Sequence, residues 1–274
     1  MTQYPAIPTL SYGISKQNQS KSDIDRIVEQ IRVVGYAVLD SGFGDDELLS
    51  ISEDFEAARA IYVDAHGESR LKEIDELNTI RCPLSLGFDS FLKLAVNARL
   101  LTTIDQLIFG IYTLNQQNGI INPPGQRYNQ AAWHRDLPYQ HFVSSRPIAI
   151  NALFCVDPFL QENGATFVLP ASHKSEEFPS ADFVKANAVQ ICAPAGSYIL
   201  LDCMTYHSGG LNQTDRPRRA VNHIYNIPYF RQQISIPRQL NPETLTDSQR
   251  QILGFGQSED GSASDYLESK RKRL

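Results

Sequence analysis

WHRDLPY, residues Trp133–Tyr139, follows a Pro-Pro-Gly turn at residues 123–125 and holds one of only six histidines in the chain. In extended backbone, side chains two positions apart share a face. His134 and Asp136 then converge, while Arg135 turns the other way. An imidazole and a carboxylate aimed at one point are two-thirds of a metal site. Such a pair calls for a third ligand and for a rigid scaffold to hold it.

The scaffold is legible around this stretch. GIYTLNQQ (110–117), RPIAINALFCV (146–156), ATFVLP (165–170), AVQICAP (188–194), GSYILLD (196–202) and RAVNHIYNIPYF (219–230) are short apolar runs separated by Pro, Gly, Asn and Asp. Many short strands with turn signals between them indicate a sandwich or barrel. Upstream the pattern is helical. In SKSDIDRIVEQIRVVGY (20–36), Ile24, Ile27, Val28, Ile31 and Val34 recur at three- and four-residue steps. Ser22 with Asp25 offers a capping box, and Gly35 ends the helix. YAVLD (36–40) reads as a strand. A second helix opens at Asp45 or Asp46 and runs through Leu48, Leu49, Ile51, Phe55, Ala58 and Ile61. The polar stretch from His66 to Asp89 reads as a loop or lid. A third helical pattern over 91–112 places Leu94, Leu101, Ile104, Leu107 and Ile108 on one side.

Residues 1–20 read as an extended arm. From Pro237 the chain is polar, and its basic end, Lys270 to Leu274, reads as a solvated helix terminus. The layout is a helical part (1–112), a β-rich core (113–236) and a polar tail (237–274), taken as one domain over 1–274.

Bulk properties restrict the partners. With 274 residues, 42% apolar and 20% charged, the chain can bury a substantial core. Lys plus Arg (25) against Asp plus Glu (31) gives −6, with a pI near 5.5. That balance speaks against nonspecific nucleic-acid binding and against membrane association. The start, MTQYPAIPTLSYG, has neither a basic beginning nor an apolar core, so no signal peptide is expected. Cys82, Cys155, Cys192 and Cys203 form no CxxC pair. Three of them sit in apolar, strand-like segments where buried free thiols are expected, which fits a reducing cytoplasm.

For the third ligand, four histidines of the β-rich part compete: His141, His173, His207 and His223. His207 closes the apolar run SYILLDCMTY and precedes Ser-Gly-Gly, so it sits at a strand end, where rigid β-scaffolds display functional groups. His141 lies in a loop-like segment, His173 in the turn of LPASHK, His223 inside a strand. His207 ranks first. Any one of them alone is most simply a satisfied polar residue; the combination with the HxD triplet is what carries weight. Two histidines and one carboxylate leave three positions open, the arrangement of non-haem Fe(II) oxygenases, whereas zinc favours a closed tetrahedral site or a single open position. TDRPRRAVNHIYN (214–226) adds Arg216, Arg218 and Arg219. A guanidinium there can take a carboxylate in two parallel hydrogen bonds. Alternation puts Arg216 and Arg218 on one face and Arg219 on the other, and spacing alone does not choose.

Taken together, WHRDLPY, ENGATFVLPASHK (Glu162–Lys174) and YHSGGLNQTDRPRRAVN (Tyr206–Asn222) resemble the phytanoyl-CoA dioxygenase family of Fe(II)/2-oxoglutarate-dependent oxygenases. The family pattern runs W-H-x-D, then an N-G…P-x-S-H-K segment, then a distal His with an Arg eleven residues later, here Arg218. The resemblance covers about residues 110–230. It implies a double-stranded β-helix, or jelly roll, with N-terminal helices. His134, Asp136 and His207 would hold Fe(II), Arg218 the far carboxylate of 2-oxoglutarate, and Thr166 would assist. With O₂, a small-molecule substrate would be hydroxylated and succinate and CO₂ released. Metal binding should weaken as the histidines protonate below about pH 6.

One departure stands out. Family members often carry Ser two residues after the distal His, where this chain has Gly209; Ser208 and Thr205 are the candidates to replace it. Asp136 is intact, unlike in the related halogenases, where a small residue leaves room for halide. Gln126, Arg127, Tyr128 and Arg135 lie near the triplet and either meet an anionic group of the substrate or pair with the chain's own acids. The family name does not specify the substrate, and the sequence sets no oligomeric state. Two other classes fit less of the pattern: a cupin-like metal enzyme such as a zinc or nickel isomerase, and a non-catalytic ligand-binding module.

Overall fold

A computed structural model describes Ile7 and residues 10–137, 142–257 and 260–273. Two antiparallel sheets are built from β1 (Tyr36–Asp40), β2 (Thr79–Arg81), β3 (Thr113–Asn122), β4 (Ala149–Cys155), β5 (Phe167–Val168), β6 (Val189–Gln190), β7 (Ser197–Asp202), β8 (His207–Ser208) and β9 (Arg218–Asn226). The larger sheet has the order β1-β7-β4-β9-β3-β2, the smaller β6-β5-β8. A single bridge between His134 and His207 adds the WHRD segment beside β8. This is the jelly-roll arrangement expected of the resemblance.

Period-two alternation divides the larger sheet into two faces. On β9, Val221 and Tyr225 join Tyr198 and Leu200 of β7 and Phe154 of β4 in one large apolar cluster with the N-terminal helices. Ala220 turns instead to a second cluster between the sheets, with Leu201, Ile199, Cys155 and Val168. Arg218 and Asn222 face that same interior and open onto a cavity. Register therefore fixes which residues reach the site: the β3–β9 pairing sets Asn122 opposite Arg218 and Asn118 opposite Asn222.

The outer face is covered by α1 (Asp23–Val34), α2 (Asp45–His66), α3 (Glu68–Glu73), α4 (Asp89–Ala95) and α5 (Ala98–Leu107). The Ser22–Asp25 capping box forms, and Gly35 closes α1 in the left-handed conformation at φ 89°. On α2, Ile51, Phe55 and Ala58 are buried, whereas Leu49 and Ile61 stay 60% and 47% exposed. Each large side chain buried in this way contributes roughly 1.5–3 kcal/mol. The helical pattern over 91–112 is two helices, because Asn97 accepts from the Leu100 N–H and donates to Ser41 O, capping α5 and starting it afresh.

Two expectations need correction. The stretch 66–89 is not a free loop: it holds α3, the edge strand β2 paired to β3, and a 3₁₀ turn at Pro83–Leu86. A three-residue strand has too little sequence to show its own periodicity; the open edge of β3 recruits it. The segment after residue 236 is not merely a polar tail. It carries α7 (Asp247–Ile252), and Leu245, Ile252 and Leu253 are buried in the main apolar cluster. Sparse apolar residues among polar ones hid that anchoring. Two further helices complete the chain, α6 (Ala181–Asn187) and α8 (Ala263–Arg273). Cys82, Cys155 and Cys203 are buried free thiols, and Cys192 is exposed. No helix among the described residues is long and apolar enough to cross a membrane.

Candidate active site

His134, Asp136 and His207 come together at the mouth between the two sheets, each offering one donor atom, all within 4.8 Å of one another. Reciprocal backbone hydrogen bonds of 3.0 Å between His134 and His207 lock the two segments side by side. Asp136 follows at a bend, its N–H donating to Cys203 O at 3.1 Å. Of the competing histidines, His207 is the one that joins the triplet, though it opens β8 after a turn rather than closing β7, which ends at Asp202.

The ring orientations follow from hydrogen bonding. His134 Nδ1 lies 2.8 Å from Ala132 O, and His207 Nδ1 lies 3.0 Å from Thr205 O. A carbonyl oxygen only accepts, so each Nδ1 carries a proton and leaves Nε2 as the nitrogen that faces the shared space. His207 Nε2 stands 3.7 Å from Asp136 Oδ2. Burial pushes the His207 pKa down despite the nearby carboxylate, keeping the ring neutral. Asp136 Oδ2 also accepts from Asn151 Nδ2 at 2.8 Å, which holds the carboxylate in place.

The triplet opens on a cavity whose wall includes Ile120, Leu153, Leu201, Thr166, Asn222 and Arg218. Arg218 is 2% exposed. Its guanidinium lies over the Phe159 ring at 3.7 Å, donates to the Tyr128 hydroxyl at 3.4 Å, and leaves Nε without a partner. No carboxylate pairs with it among the described residues. Burial pushes its pKa down. An uncompensated buried cation is costly, and an anion in the cavity would offset that cost. Arg219, on the other face, is bound instead to Asp157 at 2.6 Å and Glu56 at 3.0 Å, and Arg216 is exposed.

The remaining candidates fall away from the site. His141 lies outside the described residues. His223 is a core residue, its Nδ1–H donating to Ala152 O and its Nε2 accepting from Gln117. His173 is buried against Arg32 O. Arg135 turns away from the triplet, as alternation requires. It donates to the carbonyls of Met204, Ser172, Ser175 and Glu176 and stacks on Tyr206 at 4.0 Å, so it ties the turn after β5 to the chain entering β8. Gln126 and Arg127 are exposed. Neither hydroxyl proposed to replace the missing one at residue 209 is free: Ser208 donates to Ala131 O and Thr205 to Gly35 O. Sequence reasoning missed Asn151. Its signal was a polar residue at an inward position of an otherwise apolar strand.

Comparison with known proteins adds the following. The family model described as phytanoyl-CoA dioxygenase (PhyH) matches residues 31–220. An uncharacterised protein of Mycobacterium tuberculosis is 27% identical over 266 residues, covering 93% of this chain and 96% of the relative. Among solved structures, EctD from S. alaskensis with 2-oxoglutarate and 5-hydroxyectoine superposes with a TM-score of 0.63 at 22% identity, over 77% of this chain and 78% of that one. The non-haem alpha-ketoglutarate-dependent epimerase SnoN from nogalamycin biosynthesis gives 0.57 at 20% identity, over 82% and 89%. At these identities the two structures share the fold.

Proposed function

The chain belongs to the phytanoyl-CoA dioxygenase family, and from that membership we propose that it is an Fe(II)- and 2-oxoglutarate-dependent oxygenase that hydroxylates a small-molecule substrate with release of succinate and CO₂. The observation that carries this reading is the convergence of His134, Asp136 and His207 on a cavity whose inner wall holds a buried arginine with no carboxylate partner among the described residues. Two neutral imidazoles and one carboxylate suit a divalent ion and leave coordination positions for a chelating keto-acid and O₂. The orphaned Nε of Arg218 fits the distal carboxylate of that acid, and Thr166 lines the same wall.

When bound, iron with 2-oxoglutarate and O₂ supplies the oxidising power for attack on a substrate C–H bond. The chain's own work is to place and shelter. Ala132 and Thr205 carbonyls aim the imidazoles, Asn151 steadies Asp136, and Ile120, Leu153 and Leu201 keep water from the interior. No side chain is assigned as general acid or base. A small-molecule substrate is supported by the hydroxyectoine held in EctD and by the nogalamycin pathway of SnoN.

The test is anaerobic Fe(II) loading followed by 2-oxoglutarate and O₂. Stoichiometric iron retention and succinate formation are expected for the wild type, and loss of both for His207→Ala with the fold retained. Iron-free protein that turns over with zinc and without 2-oxoglutarate would point to an isomerase instead, and product analysis separates hydroxylation from epimerisation.

A further inference from the structure

Gly209 is not among the glycines of positive φ, so its backbone admits any residue and its bareness is a matter of space. A Cβ at this position would overlap the Tyr128 hydroxyl oxygen and lie 3.0 and 3.1 Å from the ring Cζ and Cε1. Tyr128 is buried at 8% exposure. Its oxygen accepts from Arg218 Nη2 at 3.4 Å, the one hydrogen bond the hydroxyl makes among the described residues. With the oxygen accepting, the phenolic proton is left to donate. Arg218 Nε is likewise a donor without an acceptor. Tyr128 and Arg218 therefore present unfilled donors to the same cavity.

We infer that the Tyr128 hydroxyl donates to the distal carboxylate of 2-oxoglutarate beside Arg218, from the space that a side chain at residue 209 would otherwise fill. Residues 128 and 209 form one size-coupled pair: the tyrosine is admitted because the glycine has no Cβ. Ser208 and Thr205 do not serve, since each donates to a backbone carbonyl. This assignment rests on the reading of the cavity as a 2-oxoglutarate site.

The experiment compares equilibrium binding of 2-oxoglutarate with that of pyruvate, which has the keto-acid end but no distal carboxylate, on anaerobic Fe(II)-loaded protein. Tyr128→Phe is expected to weaken 2-oxoglutarate binding by about tenfold to a hundredfold, the loss of one charge-assisted hydrogen bond. Pyruvate affinity and the melting midpoint should stay unchanged. Gly209→Ala, which keeps the hydroxyl but displaces it, should produce the same selective loss. Tyr128→Ala with Gly209→Ser should recover part of the affinity lost by Tyr128→Ala alone. Unaltered 2-oxoglutarate affinity in Tyr128→Phe overturns the inference. Equal weakening of both acids overturns it too, because ring packing rather than a carboxylate contact would then be responsible. Wild-type protein that binds neither acid would defeat the cofactor reading itself, a result distinct from normal wild-type binding with an indifferent Tyr128→Phe.

Discussion

Arg218 and Arg219 are consecutive on β9 and have opposite surroundings: Arg219 is gripped by Asp157 at 2.6 Å, whereas Arg218 lies over Phe159 without a carboxylate partner among the described residues. One guanidinium has its anion built in; the proposed function gives the other its anion in 2-oxoglutarate. Arg218→Ala is expected to raise the 2-oxoglutarate requirement steeply, by about 2–5 kcal/mol in binding, because a buried charge pair loses one member. Arg219→Ala should leave that requirement unchanged and lower stability by about 1–3 kcal/mol through its lost carboxylate bonds. Titration of 2-oxoglutarate and denaturant unfolding of both variants separate the two roles. The reverse pattern would show that Arg219 is the anchor.

Asn151 donates to Asp136 Oδ2 at 2.8 Å, so in the proposed metal site it would act through that carboxylate. Removing its amide leaves the carboxylate free to rotate, and Asn151→Ala is expected to weaken Fe(II) or Mn(II) binding by about 10–100-fold. Asn151→Asp should be worse, because it sets a second anion against the first. Metal titration under argon measures both. Equal affinity in wild type and Asn151→Ala would mean that backbone packing alone orients Asp136.

His223 gives the fold a defined acid sensitivity. Burial pushes its pKa down to about 4 from the ordinary 6.5, so the folded ring stays neutral while the unfolded ring protonates. The unfolded state then binds more protons between those limits, and stability falls as pH drops from 6.5 towards 4, by about 3 kcal/mol in all. Asp202 opposes it. Burial raises its pKa to about 6 from 3.8, so its folded state holds the extra proton and stability grows as pH falls through that window. His223→Gln is expected to shift the stability change between pH 7 and pH 5 by about 2 kcal/mol in the stabilising direction, leaving the opposite slope of Asp202, and Asp202→Asn to expose the His223 loss. Urea unfolding at the two pH values reads the difference; identical slopes in wild type and His223→Gln would remove His223 as the cause.

The sequence by itself determined what depends on neighbours along the chain. The cap at Ser22, the stop at Gly35, the buried stripe Ile51–Phe55–Ala58 and the alternation that turns Arg135 away from His134 and Asp136 all follow from fixed backbone geometry. His207 was singled out as closing the run SYILLDCMTY, but that strand ends at Asp202 and His207 instead opens β8 after a turn; the family motifs narrowed the arginines to Arg218. Tertiary structure alone decided which distant groups meet. The His134–His207 bridge, the β3–β9 register, the recruitment of residues 79–81 to a sheet edge and the seating of Tyr128 against Gly209 join segments far apart in the chain. Local periodicity carries no record of such pairings. They are selected by burial, hydrogen-bond satisfaction and the volume left between packed sheets, quantities that exist only once the chain has closed on itself.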